Sequence, residues 1–187
     1  MPQWKGIVGK GFCADDFATY VAELTFSAWK PSFVVLHNTA QPTFADWHKV
    51  SGSTRMKNLE SFYRDTQHWS AGPHLFVADD LIWVFTPLTV PGVHSPSWNH
   101  LAWGVELVGD YSKEIMVPGL RNNAISALAT LHGALGLDPN ALRLHREDPL
   151  TTHLCPGANV SKADVIAEVV AKLGDTFAGE HPDMREV

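Results

Sequence analysis

The sequence predicts an α/β domain in which a mixed central β-sheet is flanked by helices. Three observations lead there. Short apolar runs at Phe33–Leu36, Leu75–Phe85 and Leu101–Gly109 have the length and composition of buried strands. They alternate with stretches whose apolar residues recur at helical spacing, and alternating strands and helices imply a sheet covered by helices. No internal repeat or low-complexity linker interrupts the 187 residues, a length that fits one domain with a substantial core.

Each element has its own signal. From Asp15 to Phe26, the residues Phe17, Tyr20, Val21, Leu24 and Phe26 approximate a helical stripe, with Asp15 or Asp16 as the cap. Pro31 breaks the chain before the strand Phe33–Leu36, whose end presents His37. Thr43–Tyr63 reads as two helical pieces separated by Ser51-Gly52-Ser53. Leu75–Phe85 reads as two strands joined by a tight turn at Asp79-Asp80, followed by a loop rich in proline and glycine over Pro87–Asn99. Leu101–Gly109 is an apolar strand with one charge inside it, Glu106. Arg121–Leu135 is the clearest helix, with Ile125, Leu128, Leu131 and Leu135 on one face and Gly136 as its stop. Arg143–His145 is a short strand end, and Lys162–Leu173 a final amphipathic helix.

Composition narrows the function. Apolar residues make up 45% of the chain and charged residues 18%, which marks a globular rather than a disordered protein. A formal net charge of -6 with no lysine or arginine cluster excludes nucleic acid as a partner, because phosphate neutralisation needs a basic face. No run of about 18 apolar residues offers a membrane span, and Met1-Pro2-Gln3-Trp4-Lys5 leads into no signal-peptide stretch. Synthesis in the reducing cytoplasm is therefore expected, which leaves the two cysteines, Cys13 and Cys155, unpaired. Cys13 reads as a small buried hydrophobe.

Ten histidines are present, and most read as structural or as bland surface residues, His132 on an exposed helix among them. His37 and His145 differ because each ends a short apolar segment, where a sheet delivers side chains rigidly to a shared rim. Cys155 precedes the turn dipeptide Pro156-Gly157, which aims its thiolate. Two imidazoles and a thiolate form a tetrahedral zinc set with one position open, as hydrolytic chemistry requires. One thiolate leaves such a site with net charge near +1, still able to polarise a carbonyl. The same residues leave another reading open: a cysteine hydrolase using Cys155 with His145 or His153 and Asp148. That arrangement has no use for His37.

Four motifs, in order, carry a resemblance. They are Phe33–His37 with Asn38-Thr39-Ala40; Trp69-Ser70-Ala71-Gly72-Pro73-His74-Leu75-Phe76-Val77; Asn99–Gly109 around Trp103-Gly104-Val105-Glu106; and His145-Arg146-Glu147-Asp148-Pro149 through Cys155-Pro156-Gly157. Together they resemble the zinc-dependent N-acetylmuramoyl-L-alanine amidases, a family that spans phage lysozyme-type endolysins, recycling amidases of bacteria and peptidoglycan recognition proteins. The resemblance covers roughly Phe33 to Leu173. It divides the chain into an N-terminal helical extension over 1–32 packed on the same domain, a catalytic domain over 33–175, and a polar tail over 176–187.

The resemblance implies one zinc ion held by His37, His145 and Cys155. It matches Glu106 to the general base, and a carboxylate inside an apolar strand is costly unless it is employed or paired. His153 stands where many members carry a lysine that stabilises the oxyanion; an imidazole N–H does the same work with more pH sensitivity. Pro73 replaces a tyrosine that assists catalysis in several phage members, which shifts proton transfer toward Glu106. His94 matches a groove-lining histidine and is expected to contact substrate or act as a donor behind the ligands. His74 is expected to be structural, and Trp98 and Trp47 to form the groove wall. The substrate implied is peptidoglycan or a muropeptide, acted on by a monomer. An endolysin acting on the cell wall is the leading role, with a cytoplasmic recycling amidase or a non-catalytic peptidoglycan-binding module as alternatives.

Overall fold

The computed structural model describes residues 3–180, with side chains described through residue 175. Six strands form one mixed sheet: β1 (Lys10–Phe12), β2 (Phe33–Asn38), β3 (Leu75–Val77), β4 (Ile82–Val84), β5 (Ala102–Leu107) and β6 (Arg143–Leu144), in the order β1-β4-β3-β5-β2-β6. β5 lies parallel to both β3 and β2, and β2 lies parallel to β6, whereas β4 pairs antiparallel with β3 and β1. The expected α/β architecture is the one observed.

The central strands are wholly apolar except where they end. Val34, Val35, Leu36, Leu75, Phe76, Val77, Trp103 and Val105 are all inaccessible to solvent, as strands covered on both faces must be. Covering them is the task of α4 (Pro118–Leu135), which packs against β2, β3 and β4, and against α1 (Ala14–Ala22) and α5 (Lys162–Glu180). No helix among the described residues is long and apolar enough to cross a membrane.

Several boundaries differ from the sequence reading. α1 stops at Ala22, and Phe26 lies beyond it with its ring edge-on to Trp103 at 5.7 Å. Its stripe therefore reaches the core through the following turn rather than through helix. Asp15 and Asp16 sit in the first turn rather than at the cap, which is Cys13. α4 begins at Pro118, three residues before the expected start, because proline at the first helical position costs no hydrogen bond. The residues before β2 supply an edge strand as well as a helix, so the N-terminal region is part of the sheet. α5 continues past Leu173 to Glu180, since an established helix propagates at little cost when no proline stops it. Residues 176–180 of the expected polar tail are thus helical, and 181–187 lie outside the described residues.

The expected helical pair over Thr43–Tyr63 appears as α2 (Phe44–Trp47) and α3 (Gly52–Ser61), with Ser51 capping α3 by accepting from the Thr54 N–H. α3 runs directly into a single π-turn over Phe62–Thr66. Cys13 is exposed rather than buried, because the cap position faces outward. His132 is buried rather than exposed: α4 is covered on more than one side, and the Nδ1–H of His132 donates to the Leu128 carbonyl at 2.8 Å.

Candidate active site

The carboxyl ends of the parallel strands β2, β5 and β6 meet at one rim, the usual place for a ligand site in an open α/β sheet. His37 and Glu106 are register partners on β2 and β5, so pleating puts both side chains on the same face. His37 Nδ1 and Glu106 Oε1 lie 4.0 Å apart. His145 follows β6 on a single 3-10 turn, and its ring centroid stands 4.5 Å from that of His37. Cys155 arrives on the loop after it. One ligand atom from each of His37, His145 and Cys155 lies within 4.8 Å of the others, the sole group of this kind among the described residues.

Arg146 and Asp148 hold these pieces together, and neither was singled out for this in the sequence. The Arg146 backbone N–H donates to the Cys155 carbonyl at 2.8 Å, and its guanidinium donates to the carbonyl of Gly157 at 2.8 Å. One residue thus joins the His145 turn to the cysteine loop. Gly157 has φ +102° and runs so close to Tyr111 that a Cβ would fall 2.3 Å from backbone carbon, so only glycine lets the loop approach. The Cys155 sulfur accepts the Asn38 N–H at 3.2 Å, tying the loop to the end of β2.

Asp148, 2% exposed, accepts from Ser95 Oγ, from the N–H and hydroxyl of Ser97, and from the Leu150 N–H. Burial alone would raise its pKa, but these donors outweigh it and draw the carboxyl down to about 2. The clip ties the loop bearing His94 to the one bearing Cys155. A depressed carboxylate contributes stability above its unfolded pKa of about 3.9, lost as pH falls through about 2. Asp148→Asn is expected to cost roughly 1–3 kcal/mol at neutral pH. In thermal denaturation, the gap between variant and wild type should close over the acid range between those two values.

The electrostatics are those of a dry pocket. Burial, with the neighbouring imidazoles His94, His145 and His74, holds His37 well below the ordinary histidine pKa, and burial also lowers His145. Burial pushes the Glu106 carboxyl up to about 8. Burial and the Glu106 charge raise the Cys155 thiol. His145 Nε2 and Glu106 Oε2 are buried without a hydrogen-bond partner, a costly state that a bound cation would relieve. Neutral imidazoles, an adjacent thiol and orphaned polar atoms are the donor chemistry that suits zinc.

The cleft continues to both sides of this cluster. Tyr63, carried by the π-turn, lines it beside Glu106 and Thr39, and separates the His37 section from a second one reaching Arg55 and Asn58. Burial, reinforced by the Glu106 and Cys155 charges, raises the Tyr63 pKa well above its ordinary value, so its phenol keeps its proton. Trp69 stacks on Tyr63 at 5.2 Å and is 36% exposed along the opposite arm, which ends at Thr151 and Leu150. His153 is exposed on the rim, its ring centroid 6.0 Å from that of His145.

The expected aromatic wall is therefore different. Trp98 packs edge-on against Phe33 at 5.7 Å, and Trp47 is buried at 1% exposure against Phe76. Both are held by sheet neighbours, whereas Trp69, on the irregular stretch before β3 and stacked on Tyr63, lines the cleft. Trp69 opens the second motif and Tyr63 lies ahead of it, and neither carried a further distinguishing sequence signal. His74 is buried, with Nδ1 accepting from the Gly104 N–H and Nε2 donating to the Val90 carbonyl. His94 is buried at the cleft floor, where it lines the pocket wall with both ring nitrogens engaged by protein.

Comparison with known proteins agrees with this architecture. Residues 27–158 match the family described as N-acetylmuramoyl-L-alanine amidase, and the chain belongs to that family. No curated protein sequence matches it. Among solved structures it is similar to the endolysin N-acetylmuramoyl-L-alanine amidase LysCS of Clostridium intestinale, at 20% identity and TM-score 0.60, covering 79% of this chain and 92% of that one. It is also similar to LysC of the same organism, an N-acetylmuramoyl-L-alanine amidase, at 20% identity and TM-score 0.63 over 79% and 94% of the two chains. Wild-type PGRP-LB of Drosophila shares the fold at 20% identity and TM-score 0.63, over 80% and 85%.

Proposed function

We propose that this protein hydrolyses the amide between the lactyl group of N-acetylmuramic acid and the L-alanine of the peptidoglycan stem peptide, with zinc held by His37, His145 and Cys155. What carries the reading is the convergence of those three donors with Glu106 at the floor of an open cleft. Family membership supports the same bond as the target. Zinc bound there supplies Lewis acidity, polarising a carbonyl and acidifying water.

The remaining work falls to side chains of the chain. Glu106, its carboxyl raised to about 8 by burial and drawn down again by a cation held beside it, takes the proton of the attacking water and returns it to the leaving amine. His153 on the rim and the protonated Tyr63 phenol face the cleft as hydrogen-bond donors to the carbonyl oxygen as its negative charge builds. Tyr63 takes over a phenol's part that Pro73 cannot play. Trp69 offers an apolar face to the sugar or peptide. Trp69→Ala is expected to raise KM several-fold with kcat little changed, the signature of lost uniform binding, in steady-state assays on a soluble muropeptide.

We assign the biological role to an endolysin, because the third ligand is a cysteine where the resembling recycling amidases commonly carry aspartate. The deciding experiment measures free stem peptide released from purified sacculi, with and without chelator, and then with zinc restored. Release that the chelator stops and zinc restores supports hydrolysis. Cosedimentation with sacculi but no release would make the protein a peptidoglycan-binding module instead. Activity on soluble muropeptides but not on intact sacculi would assign it to recycling.

A further inference from the structure

His94 meets His37 at Nε2, the ring nitrogen opposite the one that faces Glu106. Its Nε2 lies 3.1 Å from the Ala102 carbonyl, and its Nδ1 lies 3.1 Å from His37 Nε2. A carbonyl oxygen only accepts, so the His94 proton sits on Nε2 and Nδ1 keeps its lone pair. That lone pair needs a donor, and the donor it meets is His37 Nε2–H. His37 is thereby left with the lone pair on Nδ1, the nitrogen that faces Glu106 Oε1 at 4.0 Å.

The surroundings are built to hold His94 in this pose. Its backbone N–H and that of Ser95 both donate to Asn99 Oδ1, at 2.7 and 2.8 Å. On the facing strand, Gly104 leaves the space the ring occupies: a Cβ there would lie 2.4 Å from His94 Cγ. His74 packs edge-on to His94 at 5.8 Å and is itself stacked on Trp29. The ring can neither rotate nor withdraw without emptying a packed position.

We propose that His94 is a positioning residue: the hydrogen bond from His37 Nε2 to His94 Nδ1, anchored on the Ala102 carbonyl, fixes the tautomer and ring orientation in which His37 offers Nδ1 as a ligand. The inference rests on the zinc reading above, and adds that the ligand is set before any ion arrives. Second-layer partners of this kind orient the ligand ring and raise its basicity, and losing one typically costs 10- to 100-fold in metal affinity.

The first test uses the metal-free wild-type protein with 15N-labelled histidine. Nitrogen–nitrogen coupling across the hydrogen bond between His37 and His94, with the proton bonded to His37 Nε2, is the expected result. Absence of that coupling, or a proton on His94 Nδ1, overturns the proposal whatever the protein does with zinc. The second test compares zinc affinities by competition with a chromophoric chelator. His94→Phe should weaken binding about 10- to 100-fold, while His94→Asn, whose Oδ1 restores an acceptor near the Nδ1 position, should recover most of it. Wild-type affinity in a folded His94→Phe protein refutes the positioning role and leaves the zinc reading intact. Failure of the wild type to bind zinc strikes the zinc reading, with the tautomer still judged by the coupling.

Discussion

Cys155→Ser is expected to lower zinc content and to abolish turnover, the largest effect of any single substitution in this chain. Serine keeps the size of the side chain but offers a hydroxyl where the site needs a soft anionic donor. Affinity should fall beyond the roughly 10- to 100-fold that loss of an outer-layer partner costs, because a direct ligand is removed. The fold should survive, since Cys155 lies on a loop held independently by the Arg146 contacts to the Cys155 and Gly157 carbonyls. Elemental analysis of the purified variant, beside a thermal melt, separates loss of metal from loss of structure. Alkylation of the wild-type protein tests the cysteine-hydrolase alternative. A nucleophilic thiol would be alkylated equally with and without saturating zinc, whereas a liganding thiolate should be protected.

Glu106→Ala is expected to retain zinc and lose turnover by roughly 10²- to 10⁴-fold, the usual contribution of a positioned acid–base group. Its carboxylate sits beside His37 in the strand register but is not needed to complete the three-donor set. Removing it also removes a buried oxygen that has no partner, so the variant should be at least as stable as the wild type. Retained hydrolysis by a metal-loaded Glu106→Ala protein would move the proton transfer elsewhere, with Tyr63, Asp110 and His153 among the other titratable groups on the cleft wall. Metal content, melting temperature and release of stem peptide from sacculi, measured on one preparation, keep these outcomes apart.

Much of the fold was legible because its signals are local. The apolar runs Phe33–Leu36 ahead of His37 and Leu101–Gly109, the Asp79-Asp80 turn and the Gly136 stop each follow from a few neighbouring residues. What was misread depends on distant ones. Whether Trp47, Trp98 or Trp69 reaches solvent is decided by which elements pack over them, and one aromatic side chain carries no mark of that in its own sequence window. His132 went the same way: α4 is covered by α1 and α5 as well as by the sheet, so a polar residue on its expected outer face became buried. Cys13 moved in the opposite direction because the position before a helix faces outward. Tyr63 entered the cleft through a π-turn, an irregularity that no apolar periodicity announces.

By itself the sequence determined the ingredients: an α/β domain, strand ends bearing His37 and Glu106, a cysteine before a Pro-Gly turn, and the family those motifs resemble. Only the tertiary structure decided their relations. Parallel pairing of β2 with β5 made His37 and Glu106 neighbours although 68 positions separate them along the chain, and Arg146 and Asp148 drew two loops around them. The reason is that ligand chemistry belongs to a side chain and can be read singly. Distance, tautomer and burial belong to pairs of residues, and exist only once the sheet has chosen its register.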